Sequence, residues 1–138
     1  MQYRPEDLPI VFIETFPEFA GRYEEFHKSL PESGRLAYLN AGEIACYLLD
    51  MVIDGHRQAQ RAVELIDDFC TNGNDATLEM MQVAFFEEMH LILMSTWERR
   101  GKYVEKRETL LAALPESLRG RYLKAEEYFG RDARSQRE

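Results

Sequence analysis

The sequence predicts an all-α fold, a compact bundle of about six helices around a central apolar helix at about 78–97. Three observations predict it. Apolar residues recur every three or four positions through most of the 138 residues. Only 5 prolines and 8 glycines interrupt them, which leaves room for long helices. The stretch "LEMMQVAFFEEMHLILMSTW" is polar between Met80 and Met94 only at Gln82, Glu87, Glu88 and His90. A helix apolar on nearly all sides belongs in the interior, surrounded by others.

The elements follow in order. Pro9 suits the first turn of a helix. Phe12, Phe16, Phe19, Tyr23, Phe26 and Leu30 then mark one face of a bent helix, or two short ones, from about 8 to 29, with the bend at Pro17. "LPESGR" at 30–35 breaks the chain, because the residue before proline avoids helical geometry. A helix at about 36–54 buries Ala37, Ala41, Ile44, Ala45, Leu48, Met51 and Val52, and Gly55 stops it. A helix at about 57–71 turns Ala59, Ala62, Val63, Ile66, Phe69 and Cys70 inward. "TNGND" is a turn, and Asp75 or Thr77 caps the long apolar helix. Within it Phe85, Phe86, Met89, Ile92 and Trp97 are expected to be largely buried. Arg99, Arg100 and Lys102 sit at its negative end. A fifth helix takes Val104 to Ala113. "LPESLR" at 114–119 opens a sixth, with Leu118, Tyr122 and Phe129 inward. The two Leu-Pro-Glu-Ser-x-Arg copies read as helix punctuation, since their flanks do not align. Residues 1–130 form a single helical domain and 131–138 a polar, frayed tail.

Composition narrows the function. Hydrophobic residues make up 45% and charged residues 30%, as in a soluble globular protein. The net charge of −8 argues against nucleic acid, which requires a cationic footprint, and suits a cationic protein partner. Cys46 and Cys70, each within an apolar pattern, read as buried thiols. No stretch is judged long enough for a membrane span, and "MQYRPEDLPIVFIETF" is not a signal peptide, so a cytoplasmic location and no membrane partner are expected.

The chain shows no phosphate-binding loop, nucleophile elbow or His-Glu-x-x-His zinc motif. One pattern is suggestive of chemistry. "EEFH" at 24–27 and "EEMH" at 87–90 are Glu-x-x-His pairs, the spacing of di-iron carboxylate bundles, with Glu43 and Glu64 on the intervening helices. A helical metal-dependent or ligand-binding enzyme is therefore one alternative, and a nonenzymatic regulatory module another. Glu43 and Glu64 fall on the polar sides of their helices, so the preferred reading has no metal, no cofactor and no catalysis. His90 is then hydrogen-bonded near the core. One of Glu87 and Glu88 must enter a crowded setting, where Arg119 or the first amides of the sixth helix offer donors. The partner-binding candidates are the acidic stripes Glu43, Asp50 and Asp54 on the second helix and Glu64, Asp67 and Asp68 on the third. Tyr47 beside them is an aromatic anchor.

"FPEF" at 16–19, "LNAGEIACYLLD" at 39–50, "VAFFEEMHLIL" at 83–93 and "LPESLRGRYL" at 114–123 together resemble small all-helical bacterial immunity proteins encoded beside polymorphic toxins. The resemblance implies a cytoplasmic inhibitor that neutralises a cognate toxin domain by binding it. These proteins share no active-site motif, so no functional residue carries over.

Overall fold

The computed structural model describes residues 2–28 and 36–137, with side chains described for all of these except Phe26, His27 and 130–137. The fold is all-helical. Helix α1 is Asp7–Thr15 and α2 is Phe19–Lys28. Pro17 separates them outright rather than bending one helix, since it can neither donate its amide nor admit a helical residue before it. Helix α3 is Leu36–Ile53 and α4 is Ala59–Thr71. The long apolar helix, α5, spans 75–98. It consists of α-helical Asp75–Met80 and Glu87–Leu93, interleaved with π-helical Met81–Phe86 and Met94–Glu98. Helix α6 is Tyr103–Ala113, and α7 is Glu116–Arg137, which continues into the segment expected to be a frayed tail.

Packing follows the apolar stripes. Helix α3 touches α1, α4, α5 and α6, and α5 also packs against α6 and α7. Phe12, Phe16, Phe19, Ile44, Leu48, Phe69, Phe85, Phe86, Met89 and Tyr122 are fully buried in one continuous core. Of the five residues expected inside α5, Ile92 alone is only partly buried. The π turns explain other departures. Each π turn widens the helix by one residue and re-aims the side chains around it. Val83 is 48% and Leu91 41% exposed in a helix that reads as apolar on nearly all sides.

Gly55 and Gly101 adopt positive φ, 68° and 69°, and close α3 and α5. In each case the amide after the glycine returns to the helix: His56 N–H to the Met51 carbonyl at 2.8 Å, and Lys102 N–H to the Trp97 carbonyl at 2.8 Å. The start of α5 corrects one expectation. Asn74 is the cap, its side chain accepting from Thr77 N–H at 2.9 Å, while Asp75 occupies the first turn. The same corner holds the N-terminal segment. Tyr3 N–H donates to the Asn72 carbonyl, and its own carbonyl accepts from Asn74 N–H and the Thr77 hydroxyl. Its ring stacks on Phe69 at 4.7 Å. The corner depends on Gly73, where an added Cβ would lie 2.7 Å from Thr77 Cγ2 and 2.8 Å from the Phe69 carbonyl.

A second correction concerns α3. Its 18 residues are long and apolar enough to cross a membrane by length and composition, contrary to the sequence reading. Packing accounts for that composition: α3 is covered by several other helices, α2 among them, and its buried residues lie on more than one side.

Candidate partner-binding site

The seven partner-binding candidates fall into three places. The first centres on Arg22 of α2. Its guanidinium pairs with Glu43, reaches Asp50 at 3.5 Å and donates to Cys46 Sγ at 3.1 Å. It also lies 5.4 Å from the centre of the Tyr47 ring. Burial works against the charge on Arg22, but the Glu43 carboxylate outweighs it and the net shift is upward. Tyr47 packs against Phe12 and Phe19, and burial raises its hydroxyl pKa, with Glu18 adding to the rise. Glu43, Tyr47 and Asp50 therefore already hold α2 in place. Periodicity put Glu43 and Asp50 correctly on one side of α3, but it could not show which helix would cover them.

The second place is Asp54, exposed at the α3 terminus. The third is the outer side of α4, where the carboxylates diverge. Asp68 accepts from the Tyr3 hydroxyl at 2.8 Å and from Asn72 Nδ2 at 2.6 Å. Asp67 accepts from Ser117 Oγ at 2.7 Å, and Glu64 from Gln60 Nε2 at 3.3 Å. Glu64 and Asp67 line a groove of about 560 Å³ between α4 and the α6–α7 junction, with walls of Ala59, Val63, Leu114 and Pro115. Among the described residues no lysine or arginine pairs with either carboxylate.

"LPESLR" is more than punctuation. Pro115 precedes the first turn of α7, Ser117 ties that turn to α4, and Arg119 caps α6 by donating to the Leu111 and Leu114 carbonyls at 3.1 and 3.2 Å. Arg119 is thus not the partner expected for Glu87 or Glu88. Glu87 is partly buried, and desolvation raises its pKa, while Glu88 is exposed. The first copy, "LPESGR", lies outside the described residues.

The Glu-x-x-His pairs resolve unequally. The His27 side chain lies outside the described set. His90 is buried near the core as expected, its Nδ1 3.3 Å from the Tyr122 hydroxyl and its ring stacked on Phe129. Burial raises the pKa of the Tyr122 hydroxyl, and the neighbouring Tyr103 and Glu126 add to the rise. Arg107 forks onto Glu126 at 2.7 and 2.8 Å. Burial lowers the His90 pKa, with Glu126 opposing and Arg107 assisting. These polar contacts lock α5, α6 and α7 together. The sequence offered only the histidine as a signal. Among the described residues no three of His, Cys, Asp and Glu converge to hold a metal ion.

No curated protein and no solved structure matches the chain. A family model does, over residues 10–130, from within α1 well into α7. That model is a domain of unknown function, DUF7674, and the chain belongs to this family.

Proposed function

We propose that the protein is a nonenzymatic protein-binding inhibitor, an immunity protein that neutralises a cationic toxin domain in the cytoplasm by direct binding. The observation that carries this reading is the groove between α4 and the α6–α7 junction. It pairs apolar walls with two carboxylates, Glu64 and Asp67, that have no internal cation among the described residues. A basic side chain would lay its methylenes on Ala59 and Pro115 and its charge against those carboxylates. The net charge of −8 supplies long-range attraction to such a partner. Glu43, Tyr47 and Asp50 lie outside this groove, where they hold α2. In this reading α5 is the spine on which α3, α6 and α7 are mounted.

The test is co-expression with the toxin domain encoded by the adjacent gene. Wild type should protect the cell and co-purify with the toxin. Glu64→Lys with Asp67→Lys should abolish both while the variant keeps its helical circular dichroism. Protection that survives the double reversal removes this face from the reading, and the absence of any complex with wild type overturns the reading itself. Asp50→Lys is the poorer variant, because it also breaks the contact with Arg22.

A further inference from the structure

A second groove, of about 580 Å³, runs between α3 and α5 and is separate from the carboxylate groove on α4. Its floor is made of small residues, Gly42, Cys46 and Ala84, and its walls include Leu39, Val83 and Ile92. Leu39 and Val83 remain 38% and 48% exposed, more than side chains of their size need to be in a packed core. Tyr38 to Cys46 along α3 covers about 12 Å at 1.5 Å per residue, room for roughly two helical turns.

The charges on this groove are unequal. Glu43 on the α3 side is already matched by Arg22. Glu88 on the α5 side makes no ion pair among the described residues, and neither does Glu87 one position earlier. Val83, Glu88 and Ile92 line this groove from α5 in that order, whereas Glu87 lines a separate pocket against α7. The order along the groove is therefore apolar, acidic, apolar within about two turns. A second copy of this surface would bring like carboxylates together, and a purely apolar occupant would desolvate Glu88 with nothing to replace its water. A basic residue set between two apolar ones satisfies both demands.

We propose that the α3–α5 groove is a docking site for an amphipathic helix of a partner protein, one carrying an arginine or lysine between two apolar residues two turns apart. The small floor lets the visiting helix sit deep, the apolar residues cover Leu39, Val83 and Ile92, and the basic residue pairs with Glu88. This is helix-in-groove recognition, in which apolar anchors give affinity and the charge fixes register. The site goes beyond the inhibitor reading and does not depend on it, because the two grooves share no residue.

The protein carries its own reporter. Cys46 on the groove floor is partly exposed, whereas Cys70 is buried and its thiol is pushed up to about 11 by burial. Iodoacetamide should therefore label Cys46 first. The probe is an 18-residue capped helical peptide with leucines along one face and a single arginine between them, paired with a version carrying glutamate in place of the arginine. Saturating arginine peptide should slow Cys46 alkylation at least fivefold, and the glutamate peptide should leave it unchanged. Glu88→Gln and Val83→Ser, both at exposed positions, should each weaken peptide binding about tenfold, and Glu64→Gln should have no effect. An unchanged Cys46 rate at saturation overturns the proposal, as does equal weakening by Glu64→Gln, which would mean diffuse attraction to an acidic protein. A concentration-dependent dimer abolished by Val83→Glu would assign the groove to a second copy and also overturn it. None of these failures touches toxin binding through Glu64 and Asp67, which is read by co-purification.

Discussion

His90 shows how one buried residue sets a pH dependence. Burial against Tyr122 and Phe129 lowers its pKa below the ordinary 6.5. Between that lowered value and 6.5 the unfolded chain binds a proton that the folded chain does not, so stability rises with pH there and is lost on acidification. Urea unfolding at pH 7.5 and pH 5 should show wild type losing more stability than His90→Gln; equal losses would mean that the ring is not held neutral by the fold. Gly73 makes a steric case. An added Cβ would meet the Phe69 carbonyl at 2.8 Å, so Gly73→Ala should cost about 1–3 kcal/mol by overpacking. Hydrogen exchange should quicken at the Tyr3 and Asn74 amides, which are bonded across this corner. Residue roles were legible when they depended on local pattern. The burial of Phe12, Ile44 and Phe85 follows from spacing alone. The grip of Arg22 on Glu43 does not, because it joins two different helices and no periodicity encodes it.

Elements were the most legible scale. Six apolar periodicities predicted an all-helical chain, and helices α3, α4 and α6 begin and end close to where apolar spacing and the flanking breaks place them. The π turns in α5 left no mark in the sequence, because a π turn is chosen by packing on both sides of the helix and not by propensity. They account for the exposed Val83 and Leu91, and with Val83 for a groove that the sequence did not foretell. Phe85 remains fully buried inside this segment. Phe85→Ala should cost roughly 3–5 kcal/mol in urea unfolding, and a loss below about 1 kcal/mol would mean that the core closes over the vacancy or that α5 lies nearer the surface. The second Leu-Pro-Glu-Ser-x-Arg copy was legible as punctuation. Its cross-links through Ser117 and Arg119 required the three-dimensional neighbours α4 and α6.

At the scale of the whole molecule, charge was legible as a sum and not as a map. The net −8 is fixed by composition, yet folding spends Glu43 and Asp50 on Arg22 and leaves Glu64, Asp67 and Glu88 facing grooves. Association with the proposed cationic partner should therefore slow as salt rises, since the Debye length shrinks from about 10 Å at 0.1 M to about 3 Å at 1 M. Stopped-flow mixing at both salts checks this, and a salt-independent on-rate would rule out steering. Protein grown with supplemented iron and manganese should be free of metal by elemental analysis, given that His90 is turned to Tyr122 and Glu43 to Arg22. About two ions per chain, lost on His90→Ala, would instead favour the carboxylate-bundle alternative.

The widened turn at Met81–Phe86 also makes the chain tolerant of a change in length. Removing one residue from an ordinary α-helix rotates everything after it by about 100° and turns its buried face toward water. A π turn holds one residue beyond the α-helical count, so losing one there tightens it to an α turn and leaves the register of Glu87–Leu93 intact. Deleting Val83 should leave a folded protein with Phe86, Met89 and Leu93 still inside. Deleting the equally exposed Glu64 from α4, where no such slack exists, should displace Ile66, Phe69 and Cys70 and yield an insoluble chain. Soluble expression and thermal melting of the two single-residue deletions distinguish them directly.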